Sequence, residues 1–278
     1  MRCLVVGLVA ALWCGVLGCA STGNVLRLED GATIGFSRMI SEVKNATLVF
    51  VGETHENPEH HRLQLDVIRA LHRDGGPLAV GLEMFVSASQ PDLDLWVAGK
   101  LGEEAFVRLY AQNWNLPWPL YRDIFRYARD NRIPLVALNV PRPLVQKVAR
   151  NGFESLSPAE KEELPPGISC NVDAAYLAFI RKAYSGHFGS EKSFIHFCEA
   201  QMVWTKSMAW RLIGYLNERP DRLVVVLTGA GHALKQGVPG EVRENAPYSY
   251  RVILPEIPEL SSKGLTSSDA DYYVLKAP

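Results

Sequence analysis

The chain has 278 residues, and 29 Lys and Arg against 30 Asp and Glu leave a formal charge of −1. That balance, without any block of basic residues, argues against a nucleic-acid surface, and five cysteines in a chain of this length imply no small disulfide framework. The length suffices for one large α/β domain, or two smaller ones, with a substantial buried core.

Residues 1–18 stand outside that fold. Met1-Arg2 is a short positive stretch, 4–17 an apolar run too short to span a bilayer, and Val16-Leu17-Gly18 a small-residue approach to Cys19. This is a signal peptide. The tetrad Val16-Leu17-Gly18-Cys19 resembles a bacterial lipobox, which implies cleavage before Cys19 and acylation of its thiol; plain secretory cleavage is the alternative. Ala20 after the cysteine, by resemblance to bacterial lipoproteins, directs the chain to the outer membrane. Besides Cys19 the mature chain keeps Cys170 and Cys198, which either pair in an oxidising compartment or lie as buried free thiols.

The first strand is Leu48-Val49-Phe50-Val51, an apolar run that ends in Gly52-Glu53-Thr54-His55. A helix over 57–74 follows, stopped by Gly75-Gly76-Pro77, and then a second strand, 77–82, ends at Glu83. Strand, helix and strand in one sheet mean a right-handed parallel crossover. Of the adjacent His60 and His61 at most one can face the crevice holding His55, because neighbouring side chains on a helix diverge by about 100°. His72 is read as exposed in the last turn. Helices then continue to Asp130, and their aromatics, Trp96, Trp114, Trp118, Tyr110, Tyr121 and Tyr127, read as core. A third strand at 133–138 runs into Asn139-Val140-Pro141. After a helix opened by Pro141-Arg142-Pro143 and a polar, proline-punctuated linker at 155–167, two helices occupy about 171–216. They read as an insertion that covers the strand ends as a lid. Leu223-Val224-Val225-Val226-Leu227 runs into Thr228-Gly229-Ala230-Gly231-His232, 250–254 is a further strand, and Tyr272-Tyr273-Val274-Leu275 adds one at the edge. The expected class is α/β, a mainly parallel sheet flanked by helices with a helical lid-like insertion, over residues 19–278 as one domain.

In open α/β sheets the ligand crevice lies at the carboxyl ends of the parallel strands, so Glu53, His55, Glu83 and His232 are expected to share one site. Carboxylates and neutral imidazoles are ligands for a divalent metal such as zinc, manganese, cobalt or iron. The same groups do general acid/base work without one, and an imidazole or tyrosinate is also an axial haem ligand. Taken singly, Glu53 is equally a helix cap, Glu83 an ion-pair partner and His232 a satisfied buried histidine.

Gly52-Glu53-Thr54-His55-Glu56-Asn57 with His60-His61, Leu82-Glu83-Met84-Phe85 with Gln90, Ala137-Leu138-Asn139-Val140-Pro141, Glu199-Ala200-Gln201 with Met208-Ala209, and Gly229-Ala230-Gly231-His232 together resemble the ChaN-like haem-binding lipoprotein family, over about 48–254. The resemblance implies an iron-regulated lipoprotein on the periplasmic side of the bacterial outer membrane that binds haem in iron uptake or storage. It implies a homodimer that can sandwich haems, supplied by an outer-membrane haem receptor. Tyr184 and His187, at the joint of the two lid helices, and Tyr176, one helical face away, are the candidate haem ligands. The wider superfamily is similar to the Tiki/TraB and erythromycin-esterase group, which implies a hydrolase of esters or amides as the alternative, with His55, Glu83 and His232 at its catalytic or metal site. The family pattern carries an acidic residue after Gln-x-x-Trp, where this chain has Thr205-Lys206 after Gln201-Met202-Val203-Trp204.

Overall fold

The computed structural model describes residues 25–184, 190–257 and 264–275. The signal segment, Cys19 and His187 lie outside these residues. In chain order the elements are β1 (Val25–Arg27), β2 (Thr33–Ile34), α1 (Phe36–Val43), β3 (Leu48–Glu53), α2 (Pro58–Arg73), β4 (Leu78–Val86), α3 (Gln90–Val97), α4 (Glu103–Asn113), α5 (Trp118–Asp130), β5 (Leu135–Asn139) and α6 (Arg142–Asn151). There follow α7 (Pro158–Glu162), α8 (Ala174–Tyr184), α9 (Glu191–Glu218), β6 (Leu223–Gly229), α10 (Ala230–Ala233), α11 (Val238–Asn245), β7 (Tyr250–Pro255) and β8 (Tyr272–Val274).

These strands form one eight-stranded sheet in the order β2-β1-β8-β7-β3-β6-β4-β5. From β8 to β5 every pair is parallel, and only β1 and β2 run antiparallel to their neighbours. The expected α/β class with a mainly parallel sheet is what the chain adopts. A parallel sheet is covered on both faces, so its strands are apolar at every position rather than at alternate ones. Along β3, Leu48 and Phe50 enter one core while Val49 and Val51 enter the other, and Val224/Val226 and Val225/Leu227 of β6 divide the same way. Helices α6, α8, α9 and α11 pack on the first face, α1 to α5 on the second. Helix α2 begins where expected, with Pro58 in its first turn and the Asn57 side chain accepting from the Glu59 amide at 3.0 Å.

Three expectations change. The segment at 272–275 is not an edge strand: β8 lies between β7 and β1. β1 and β2, three and two residues long, cover it and are too short to carry a sequence period. The second helix of the 171–216 insertion is not a lid either. Helix α9 runs unbroken for 28 residues, and Met208, Leu212 and Leu216 are wholly buried against the sheet. Only α8 and the first half of α9 reach the strand ends. The 155–167 linker contains α7, started by a capping box in which Ser157 and Glu160 satisfy each other's backbone amides.

Most of the aromatics before Asp130 are core, as read: Trp96 stacks on Phe106 with centroids 4.1 Å apart, and Tyr110 and Tyr121 are buried. Trp114 is the exception and faces the crevice. His72 is half-buried rather than free in solvent, its Nδ1 3.0 Å from the Tyr127 hydroxyl.

Candidate acid–base site at the strand ends

Strands β3, β6 and β4 are neighbours; the ends of β3 and β6 deliver Glu53 and His55 and Gly229 to His232, and β4, which runs on to Val86 rather than stopping at Glu83, delivers Glu83 just past its last pair with β6, all to one cavity of about 600 Å³. That volume is within the usual range for small-molecule pockets. Apolar walls come from Met84, Val140, Trp114, Phe179, Trp204 and Ile257, while Arg142, Asn113, Asn115, Asn139 and Gln201 add polar groups. All four strand-end residues expected to converge line it.

Two carboxylate–imidazole pairs face each other across the floor. In the first, Glu53 Oε1 lies 2.7 Å from His55 Nδ1 and accepts from the Tyr121 hydroxyl at 2.5 Å. Its Oε2 accepts from Gln64 Nε2 at 2.8 Å and lies 3.2 Å from His61 Nδ1. Burial alone would raise the Glu53 carboxyl; the hydrogen bonds from His55 and His61, and their charge, override it and hold the group well below the usual carboxylate range. His55 shows the converse: burial lowers it, but the bond to Glu53 and the field of Glu83 raise it to about 9. His61 is also raised against the pull of burial by Glu53, and both its ring nitrogens face acceptors, Nε2 lying 2.9 Å from the His55 carbonyl.

In the second pair, Glu83 Oε2 accepts from the Gly229 amide at 2.6 Å and Oε1 stands 3.9 Å from His232 Nε2. Asn139 donates to the Glu83 carbonyl at 2.7 Å in the stretch where the β4–β5 register shifts. His232 Nδ1 lies 3.0 Å from Thr205 Oγ1. Burial lowers its pKa; Glu83 opposes this and the charge on His55 adds to it. The two imidazoles of one cavity are therefore driven to opposite protonation states.

Glycine at 229 and 231 makes the approach possible. A methyl at Gly231 would fall 2.6 Å from Phe179 Cε1, so α8 roofs the site over a bare backbone. One at Gly229 would fall 3.0 Å from His55 Cε1 and 3.3 Å from its Nε2. The His55 side chain is 40% exposed and can swing outward. Gly229→Ala should therefore fold with a loss of about 1 kcal/mol while stretching the His55–Glu53 bond. The His55 titration followed by NMR should then move down from about 9.

The expected divalent-metal set is not assembled. Among the described residues no group of three or more His, Cys, Asp or Glu side chains is arranged to hold a metal ion. Glu53 is spent on Tyr121, Gln64 and the two histidines, and Nδ1 of His55 and of His232 is engaged, which leaves Glu53 without a lone pair for a metal. Glu53 does not act as a helix cap: Asn57 caps α2. His60 and His61 both stay out of the cavity. His60 Nδ1 accepts from the Thr54 amide at 2.9 Å and its Nε2–H reaches the Glu256 carbonyl at 3.2 Å, which ties the loop after β3 to the end of β7.

Of the candidate haem ligands, Tyr184 is half-buried at the end of α8 beside Phe194 and Phe197, with centroids 5.6 and 5.3 Å away. Tyr176 cannot serve: it is 3% exposed, inside the core with Ile180 one turn on, and burial pushes its hydroxyl up to about 12. Cys170 and Cys198 are joined in a disulfide.

Sequence reading missed Trp114, Phe179, Arg142 and Thr205. The signal for Thr205 was present, since Gln201, Trp204 and Thr205 at i, i+3 and i+4 share one helix face. The departure from the family pattern at this point is thus the residue that holds His232. Arg142 directly follows the end of β5 and its Asn139-Val140-Pro141 motif.

An open α/β sheet with an acid–base crevice at a change of strand order defines the class. Within it the chain belongs to the family described as haem-binding uptake, Tiki superfamily, ChaN, whose model matches residues 39–242. The structure titled cofacial heme binding to ChaN of Campylobacter jejuni superposes with a TM-score of 0.74 at 19% identity, covering 93% of this chain and 98% of that one. An erythromycin esterase mutant in its open conformation superposes at 0.51 with 15% identity, covering 87% and 78%. A chloroplastic RETICULATA-RELATED 5 protein of Arabidopsis thaliana is 22% identical over 260 residues, 84% of this chain but 35% of that protein.

Proposed function

We propose that the protein is a haem-binding lipoprotein of iron acquisition, anchored through acylated Cys19 to the periplasmic side of the outer membrane. Membership of the family, over 39–242, carries this reading. The Cys170–Cys198 disulfide supports an oxidising compartment. No helix among the described residues is long and apolar enough to cross a membrane. The Tyr184 ring packs with the Phe194 and Phe197 rings, and a phenol in an apolar aromatic setting is of the type a ferric porphyrin takes as ligand; His187 is the second candidate ligand. Two copies sandwich haem, which an outer-membrane receptor supplies.

Titration of the purified protein with haemin, read at the Soret band, should saturate at a defined stoichiometry. Tyr184→Phe or His187→Ala should shift the band and weaken binding about tenfold or more, while His55→Ala leaves it in place. Failure to saturate would remove the haem assignment; band changes in His55→Ala alone would move the ligand into the strand-end cavity. Sedimentation with and without haemin reads the dimer.

A further inference from the structure

Strand β5 closes one side of the sheet, and along its outer edge runs a second cleft of about 510 Å³ that shares no residue with the strand-end cavity. We infer that this cleft is a binding site for a neutral saccharide, stacked on Trp210 and hydrogen-bonded by Arg211 and Glu218 of α9 and Asp94 of α3. This is independent of the haem reading and asks nothing of the strand-end groups.

The cleft follows from how the helix layers meet the edge. Helix α9 packs on one face of the sheet and α3 on the other, and between them Val136 and Ala137 of β5 line the groove. An open edge strand ordinarily accepts another strand. Here the Gln90 side chain takes that place. Its Nε2 donates to the Leu135 carbonyl and its Oε1 accepts from the Ala137 amide, both at 2.8 Å, while Asp94 Oδ1 holds the same Nε2 at 2.9 Å. Backbone positions that a peptide strand needs are occupied, so recognition in this groove falls to side chains.

Trp210 is 45% exposed and lines both this cleft and a smaller hollow beside Pro165 and Pro166. Arg211 stands next to it, its guanidinium 5.3 Å from the indole centroid. It is half-buried, its Nε–H has no acceptor, and no carboxylate among the described residues is in ion-pair contact with it; Glu163 acts on it only through its field. Gly214, one turn further along α9, lies in the same cleft, and a methyl there would meet nothing within 4 Å. Glycine destabilises a helix interior relative to alanine, and no described neighbour requires one here. What the glycine does is leave the helix surface beside the indole clear.

The charges give the class of ligand. Arg211 and Arg219 stand against Asp94 and Glu218 in the lining, a balance that favours no net charge. A carboxylate ligand meets two carboxylates there and an ammonium ligand two guanidiniums. The hydroxyls of a sugar accept from the guanidiniums and donate to the carboxylates at once. The C–H face of a pyranose ring then lies on the indole, a large apolar surface held in a polar setting, and the volume is within the range of small-molecule pockets.

Binding is read by saturation-transfer NMR and calorimetry of the purified protein with cellotriose, maltotriose and chitotriose, and with trigalacturonate as the acidic counterpart. At least one neutral trisaccharide should bind with a Kd of about 1 mM or tighter, and trigalacturonate more weakly than that one. Trp210→Ala should weaken the best neutral ligand about tenfold or more, and Arg211→Gln about fivefold. Gly214→Ala supplies a readout that a structural role does not: the melting temperature should rise by about 2–4 °C while binding weakens about fivefold. Circular dichroism checks the fold of each variant, and haemin titration should be the same in all of them. Failure of the folded wild type to bind any neutral trisaccharide at about 10 mM, binding that survives Trp210→Ala, or tighter binding of trigalacturonate overturns the proposal. A changed sedimentation in Trp210→Ala without sugar binding also overturns it and makes the cleft a contact between copies. None of these outcomes touches the haem reading.

Discussion

Glu53→Ala is expected to lower the melting temperature by roughly 10 °C, the largest effect of any single substitution at the site. Glu53 is buried and its two oxygens serve His55, His61, Tyr121 and Gln64. Removing it strands two imidazoles, a side-chain amide and a phenol without their shared acceptor in a low-dielectric interior. Breaking a buried pair in this way costs about 3–5 kcal/mol, and about 2–4 °C accompany each kcal/mol in a domain of this size. The pH dependence follows from the shifts. Glu53 is depressed in the fold, so its contribution is present above the unfolded carboxylate pKa and is lost as pH falls through the lower folded value. His55 is raised, so its contribution is full below the ordinary histidine pKa and is lost as pH rises through about 9. The gap between wild type and Glu53→Ala, measured by thermal melts, should be widest between roughly pH 5 and 6.5 and shrink beyond either side. A gap of under 1 kcal/mol across that window would mean that Glu53 does not organise the cluster.

Removing the disulfide is the second large effect. Cys170 and Cys198 are 28 residues apart, and a crosslink of that span restricts the unfolded chain by about 3–4 kcal/mol. The loss falls on α8, whose buried contacts are few: Tyr176 and Ile180 face the core, with Leu177 and Phe179 partly covered. Cys170→Ser/Cys198→Ser should therefore unfold about 10 °C earlier and exchange the α8 amides well before those of β3 and β6. Reductant should reproduce this in the wild type and do nothing further to the double variant. Identical α8 exchange in oxidised and reduced protein would show that the crosslink does not hold the roof.

The central strands were legible because they are buried on both faces, which writes them as unbroken apolar runs; β3 and β6 run into polar residues with a glycine at the boundary, whereas Glu83 lies inside β4, which continues to Val86. That pattern locates Glu53, His55, Glu83 and His232 from the sequence alone. What escaped depends on distance along the chain. The contact from Tyr121 to Glu53 spans 68 residues and that from Thr205 to His232 spans 27, and no local period encodes either. Tyr176, expected as a ligand candidate one helical face from the Tyr184–His187 joint, instead forms a core stripe through its i, i+4 pairing with Ile180. The interior place of β8 was hidden because the strands that cover it, Val25–Arg27 and Thr33–Ile34, are too short to announce themselves.

The division of labour between sheet and helices bears on how this protein can change. The acid–base groups are held by strand ends, whose backbone is locked by neighbours on both sides. Phe179, Gln201 and Trp204 come from α8 and the first half of α9, one contiguous segment pinned by Cys170–Cys198. Substitutions at Gln201 or Trp204 redraw the shape of the cavity while the carboxylates keep their places on β3 and β4. Lineages built on this plan can thus exchange one cargo or substrate for another by drift within about thirty residues, while the chemical floor beneath stays constant.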